Sequence, residues 1–209
     1  MLDFVALDFE TANKYKNSAC SLAVITVENG QITKKAYSLI KPPFMSFDPE
    51  CIEIHGIEPK EVLHEKTFDQ LWPAIYENHL KGKIMIAHNA KFDMNVLRAT
   101  LDYYKIPWPE LDYACTVKIS RAVWPDLVNH KLNTMAAYLG VEFKHHYALD
   151  DAETCAKVAI EAARLKGANS LPELLSKTGV PLEPFIDEKN KAAQAELHKK
   201  PEPEQMSFF

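Results

Sequence analysis

The feature that most constrains this chain is an apolar run interrupted by two carboxylates, Phe4-Val5-Ala6-Leu7-Asp8-Phe9-Glu10-Thr11. Its short length and β-forming residues read as a strand. Side chains alternate along a strand, so Asp8 and Glu10 face the same side, with Cβ atoms roughly 6–7 Å apart. Two anions side by side on an apolar strand repel one another and lose hydration. A divalent cation would reverse that cost. The competing outcome is a strand that frays into a polar turn, where both carboxylates are solvated.

The remaining pattern says what surrounds this strand. Cys20 to Val27 and Ile32 to Ile40 are apolar and β-branched, and Asn29-Gly30 between them suits the positive φ angles of a tight hairpin turn. Lys41-Pro42-Pro43 stops the third strand. Phe44 to Pro59 reads as a loop containing His55-Gly56-Ile57. Thr67 is placed to cap a helix from Phe68 to about Leu80. A short strand, Lys83 to Ala87, precedes a helix from Ala90 to Tyr104 with Asn89 as its cap. Tyr113 to Val117 reads as a fifth strand, followed by helix to about Trp124. Lys131 to Leu139 is a helix ended by Gly140. Leu149 to Lys166 is the longest helical pattern, with Ala152, Cys155, Ala156, Ala159, Ile160 and Ala163 on one side. Three strands followed by strands alternating with helices predict an α/β fold, a mixed sheet with an antiparallel hairpin edge beside parallel strands.

A chain of 209 residues, 47% hydrophobic, is long enough for one well-cored domain plus a tail. Cys20, Cys51, Cys115 and Cys155 are scattered without a C-x-x-C pair, which suits reduced core thiols and excludes a disulfide framework or a zinc cage. The apolar runs are too short to span a bilayer, and no basic segment with an apolar run opens the chain. A cytoplasmic protein without a membrane partner is the expectation. A net charge of -5 gives no broad attraction to duplex nucleic acid, although metal ions or a small basic patch would allow local contact with a phosphate chain.

Two further clusters carry carboxylates. His88-Asn89-Ala90-Lys91-Phe92-Asp93 lies where the fourth strand meets a helix, and His145-His146-Tyr147-Ala148-Leu149-Asp150-Asp151 opens the longest helix. Each carboxylate alone is explained by dipole compensation or capping. Together they converge, because strand ends and the starts of the following helices meet at one edge of such a sheet. Carboxylates gathered there need cations, and hard oxygen ligands favour Mg²⁺ or Mn²⁺ over zinc. Two such ions about 3.5–4 Å apart can clamp the attacking and leaving oxygens of a phosphoryl displacement. A histidine on the rim suits proton removal from the attacking water.

Asp8-Phe9-Glu10-Thr11, His88-Asn89-Ala90-Lys91-Phe92-Asp93 and His146-x-Ala148-x-x-Asp151-Ala152 resemble the three motifs of the DEDDh 3′→5′ exonucleases, the group that contains the proofreading ε subunit of bacterial DNA polymerase III. His55-Gly56-Ile57 resembles a recurrent element between the first two motifs. The resemblance covers about residues 1–168. It implies a ribonuclease H-like fold, here a mixed five-stranded sheet flanked by helices. It implies two divalent cations held by Asp8, Glu10, Asp93 and Asp151, and His146 as general base. His145 and Asp150 each lie one position off the pattern. Thr11 and Ala12 through their backbone, with Ile57, Asn89 and Phe92, would cradle a single-stranded or frayed 3′ end. Ile57 would act as an apolar wedge against a base, the alternative being a buried loop residue. Apart from the resemblance, Lys131 near the start of its helix either touches phosphate or is merely solvated. The implied reaction releases nucleoside 5′-monophosphates in proofreading or repair. The alternatives are an exoribonuclease acting on RNA 3′ ends and a catalytically weak module that binds 3′ ends or a replication partner.

After Gly167 the composition changes. Residues 169–180 suggest a short helical extension around Leu171 to Leu175. From Pro181 the chain is charged, proline-bearing and without a sustained apolar face, which reads as a flexible tail over 181–209 with a transient helix near Glu188 to His198. Its end, Gln205-Met206-Ser207-Phe208-Phe209, resembles the peptide by which bacterial replication and repair proteins dock on the sliding clamp. The phenylalanine pair would be the anchor, on a tether reaching roughly 25–30 Å.

Overall fold

The computed structural model describes residues 1–142 and 144–199. Strand β1 (Phe4–Thr11) lies inside a six-stranded sheet of order β3-β2-β1-β4-β5-β6. Strands β2 (Ala19–Glu28) and β3 (Gln31–Leu39) form the expected hairpin, with Asn29 and Gly30 at φ 54° and 75° in its turn. Strand β2 runs antiparallel to both β1 and β3, whereas β4 (Met85–Ala87) is parallel to β1 and β5 (Asp112–Cys115) is parallel to β4. The sixth strand, β6 (Glu183–Pro184), pairs antiparallel with β5. The sequence reading has five strands, because a two-residue strand leaves no periodic signal.

The helices in chain order are α1 (Pro49–His55), α2 (Pro59–Val62), α3 (Phe68–Ile75), α4 (Lys91–Tyr103), α5 (Thr116–Val123), α6 (Leu132–Leu139), α7 (Ala148–Lys166), α8 (Leu171–Thr178) and α9 (Lys191–Lys199). A π-helical turn, Tyr76–Leu80, continues α3 beyond Pro73. The expected loop from Phe44 to Pro59 contains α1. No residue of α1 is buried, so it carries no apolar period by which a helix could be recognised. Asn89 takes a left-handed φ of 68° before α4, a conformation asparagine tolerates, and Ala90 is the helix cap in its place.

Alternation along β1 divides the core. Val5, Leu7 and Phe9 pack with Phe68, Trp72, Met94, Leu97 and Leu101 of α3 and α4. Phe4 and Ala6 pack on the opposite face beneath Ala148, Ala152, Cys155, Ala156 and Ala159 of α7. Those small side chains put little bulk between α7 and the sheet. Asp8 and Glu10 continue the row of Phe4 and Ala6, so the strand period alone aims both carboxylates toward α7. Among the described residues no helix is long and apolar enough to cross a membrane.

The expected tail is corrected over its first part. Phe185 is wholly buried against Trp108 and the α4 side of the sheet. The Arg98 guanidinium donates from Nε to the Phe185 carbonyl at 3.0 Å and lies 4.8 Å from that ring's centroid. The Trp108 backbone N–H donates to Oε1 of the buried Gln194 at 2.7 Å, and the Tyr113 hydroxyl donates to Glu183 at 2.9 Å. A few isolated anchors hold this segment, so its composition looks like that of a tail. The clamp-like peptide Gln205 to Phe209 lies outside the described residues. Replacing a buried phenylalanine with alanine removes about 3–5 kcal/mol. Phe185→Ala is therefore expected to lower the urea midpoint of the whole chain, and a flexible tail would leave it unchanged.

Candidate active site

The C-terminal ends of β1 and β4 and the beginnings of α4, α5 and α7 open onto one cleft of about 810 Å³. Asp8, Glu10, Asp93 and Asp151 all line it. One oxygen from each of Asp8, Glu10 and Asp151 lies within 4.8 Å of the other two. Asp93 is held differently. The β1–β4 ladder ends at Ala6 and Ile86, leaving the Phe9 N–H beyond it. The Asp93 carboxylate accepts that N–H at 3.1 Å, and only 1% of the residue remains exposed. The strand bearing two of the acids thus positions the third.

Crowding changes the acidity of this cluster. Burial raises the Asp8 carboxyl well above its ordinary value, and Asp93, Asp151 and Glu10 raise it further. Burial, then Asp151 and Asp93, push Glu10 up to about 8. Burial also takes Asp93 to about 8, against the hydrogen bonds it accepts, and Asp151 to about 6, against its contact with His145. Glu10 and Asp93 hold their protons near neutral pH chiefly because burial strips the charged form of its hydration, and neighbouring carboxylates add to that cost. An all-oxygen donor set that holds back its own ionisation fits hard divalent cations.

The two histidines differ. His146 donates its backbone N–H to Asp151 Oδ2 at 3.0 Å, with a left-handed φ of 64°, and burial, His145 and His55 lower its pKa. It therefore stays able to accept a proton at neutral pH. The His145 ring stacks on that of His146 at 3.8 Å, and its Nδ1 lies 3.4 Å from Asp151 Oδ1. The neighbouring carboxylates divide likewise: Asp150 accepts the Lys144 N–H at 2.9 Å and is not a cleft residue. His88 is a brace. Its Nε2 donates to the His130 carbonyl at 2.9 Å, its Nδ1 meets the Thr116 hydroxyl at 3.0 Å, and burial lowers its pKa to about 4.

Of the residues expected to cradle a nucleotide, Thr11, Asn89 and Phe92 line the cleft, whereas Ala12 and Ile57 do not. The Ala12 N–H is taken by Ser18 and its carbonyl by Asp48, both at 2.8 Å. Ile57 is 7% exposed, packed with Ala12, Cys20 and Val62. The buried alternative is the state seen here, since an apolar residue under a short helix is more stable buried than presented to solvent. Ile54 and Cys51 of α1 line the cleft instead, and Ile54 is 52% exposed. His55 joins this layer to β1. Its Nδ1 accepts the Ile57 N–H at 3.0 Å, so its Nε2 carries the proton and donates to the Thr11 carbonyl at 3.2 Å.

Lys14, Lys16, Arg121 and Lys131 also line the cleft, and Lys16 Nζ sits 4.1 Å from the centroid of the Phe92 ring. Only Lys131 was marked by the sequence reading. The signal for the other two lysines was available in Lys14-Tyr15-Lys16, just past the β1 carboxylates. Arg121 gives no such signal, because only folding brings α5 to this edge.

The raised carboxyl groups fix a sign for pH dependence. Unfolded carboxyls titrate near ~4, and Glu10 and Asp93 titrate at about 8 when folded. The folded chain thus retains protons that the unfolded chain has lost, and its stability without metal falls as pH rises through this window. In EDTA the melting temperature is expected to drop between about pH 6 and about pH 8. Mg²⁺ should raise it more at the higher pH, and Asp8→Asn should raise it without metal. Melts insensitive to both pH and Mg²⁺ would contradict this electrostatic account.

The sequence profile described as "Exonuclease" matches residues 5–159. The DNA polymerase III PolC-type protein of Thermotoga maritima is 29% identical over 178 residues, 82% of this chain and 13% of that protein. The 3′-5′ exonuclease DinG of Bacillus subtilis is 28% identical over 162 residues, 76% of this chain and 17% of that protein. The chain thus spans less than a fifth of the length of these relatives. Exonuclease X, solved in complex with 5′ overhanging duplex DNA, superposes with a TM-score of 0.68 at 23% identity, covering 86% of this chain and all of that one. The nuclease domain of 3′hExo, described as a DEDDh family member bound to rAMP, gives 0.68 at 15% identity, covering 87% of this chain and 96% of that one. With the profile match spanning β1 to α7 and the fold in common, this chain belongs to the exonuclease family and is built as the DEDDh exonucleases are.

Proposed function

We propose that the chain is a metal-dependent 3′→5′ exonuclease that hydrolyses single-stranded or frayed 3′ ends, DNA in preference to RNA, to nucleoside 5′-monophosphates. The observation that carries this reading is the convergence of Asp8, Glu10 and Asp151 oxygens within 4.8 Å at the floor of a cleft edged by Lys14, Lys16, Arg121 and Lys131. An acidic floor with a basic edge suits a phosphate chain that enters over the cations and ends above the carboxylates. Members of the family use divalent metal ions, and we take them here to be two Mg²⁺ or Mn²⁺ held by Asp8, Glu10, Asp93 and Asp151. When bound, they supply charge neutralisation at the scissile phosphate and a more acidic attacking water.

The chain's own residues do the rest. His146 accepts the proton of the attacking water from the mouth of the cleft. Thr11, Asn89 and Phe92 bound the space for the terminal nucleotide, with Phe92 offering a ring to a base and Lys16, drawn over that ring, offering a cation to the adjoining phosphate. The relative that is a DNA polymerase supports DNA as substrate, and the one named a 3′-5′ exonuclease supports the direction of hydrolysis. By its resemblance, Gln205 to Phe209 would hold the enzyme on a sliding clamp during proofreading or repair.

Hydrolysis of 5′-labelled single-stranded DNA should give a ladder shortening from the 3′ end, with Mg²⁺ or Mn²⁺ and not with EDTA. Asp8→Ala should abolish it. His146→Ala should slow it by about 10²–10⁴-fold, and near-normal rates in either variant would move the site elsewhere. An RNA strand of the same sequence should be cut more slowly, and equal or faster cutting would make the enzyme an exoribonuclease. Deleting residues 205–209 should leave these rates unchanged while abolishing co-elution with a bacterial sliding clamp.

A further inference from the structure

We propose that His145, His146 and Asp151 form a second metal site, selective for a borderline divalent ion such as Zn²⁺, whose occupation inhibits the enzyme. One donor atom from each of the three lies within 4.8 Å of the others. In a tetrahedral zinc site with bonds of about 2.0–2.2 Å, ligand atoms stand roughly 3.3–3.5 Å apart. His145 Nδ1 and Asp151 Oδ1 are already 3.4 Å apart. The His146 ring is stacked on the His145 ring at 3.8 Å, with 21° between their planes, so binding one ion requires the rings to unstack and turn their nearby nitrogens toward it. The His146 N–H engages Asp151 Oδ2, which orients the carboxylate with Oδ1 toward the imidazoles.

The donor chemistry separates this site from the neighbouring one. Asp8, Glu10 and Asp151 offer oxygen only, which suits Mg²⁺ or Mn²⁺. Two imidazoles and a carboxylate suit Zn²⁺, and the same three donor types serve zinc enzymes with a fourth position left open. Mg²⁺ has little affinity for imidazole, so its presence does not fill the second site. The two sites share Asp151, so they compete. An ion on the histidines withdraws Asp151 from the oxygen cluster and takes the lone pair with which His146 would accept a proton. His145 is the residue that makes the second site, because without it only His146 and Asp151 remain. The inhibitory consequence rests on the function proposed above. The binding of Zn²⁺ does not.

The binding test uses the full chain, Zn²⁺ as the only added metal, and nitrogen NMR of the histidine rings, and a separate inhibition assay adds Mg²⁺. Zn²⁺ should shift the His145 and His146 nitrogens together, in the unaltered chain and in Asp8→Asn, where the oxygen cluster is broken. His145→Ala, a change at a half-exposed side chain, should weaken this binding about tenfold or more. With saturating Mg²⁺, it should also raise the Zn²⁺ concentration for half-inhibition about tenfold or more while hydrolysis without Zn²⁺ continues. His145→Gln, which keeps bulk without an imidazole, should behave like alanine. Unshifted histidine nitrogens, or equal inhibition of His145→Ala and the unaltered chain, would overturn the proposal. Histidine-dependent Zn²⁺ binding in a chain without nuclease activity would keep this site and remove the proposed function. Hydrolysis without such binding would do the reverse.

Discussion

The burial of several carboxylates side by side governs this structure, with lost hydration the larger cost and mutual repulsion added to it. A folded domain ordinarily solvates or pairs its acids. Here the alternation of β1 leaves Asp8 and Glu10 no other direction to face than α7, and α7 answers with a third acid. The surrounding apolar packing is what holds the arrangement closed. Phe4 and Ala6 under the alanines of α7, and Val5, Leu7 and Phe9 under α3 and α4, fix β1 from both sides. The strand cannot rotate its carboxylates outward without dismantling both layers. Stability is thereby lent to a cluster that opposes it, which is the usual trade at a catalytic site.

Much of this was legible in the sequence because the decisive elements are patterned. β1 and β2 are apolar runs buried along most of their length, and α7 buries positions at helical spacing over nineteen residues. The carboxylate positions follow from those patterns and from where strands hand over to helices. The unread parts lack such a pattern. Helix α1 buries no residue, yet it presents Cys51 and Ile54 to the cleft. The motif around Ile57 is local and leaves open whether the side chain is buried, because its packing depends on Cys20 of β2 and Val62 of α2. The docking of residues 181–194 turns on Phe185, Gln194 and a single guanidinium, and no window average can register so sparse a set.

Charge is arranged on two scales. Over the whole chain the balance is negative, at -5, which discourages indiscriminate contact with polyanions. Within the cleft the order is inverted, with cations at the edge and acids at the floor. The proposed substrate, a strand end, would meet attraction first and would need metal only at its last phosphate. The histidines follow the same gradation. His88, deep and doubly hydrogen-bonded, is kept neutral as a strut, while His146, nearer solvent, remains able to take up a proton.

The Arg98 clasp on Phe185 has a directional consequence. Strand β6 runs antiparallel to β5, from Glu183 beside Tyr113 to Pro184 beside Asp112, and Phe185 then bonds to Leu111. The chain is thus led toward the side where β4 and β5 begin, where Pro184, Ile186 and Lys191 share a hollow with Gly82 and Lys83. The cleft opens where those strands finish. The β6 segment and the cleft thus lie toward opposite ends of β4 and β5. The short β6 also covers β5, which would otherwise offer unpaired backbone to a second copy.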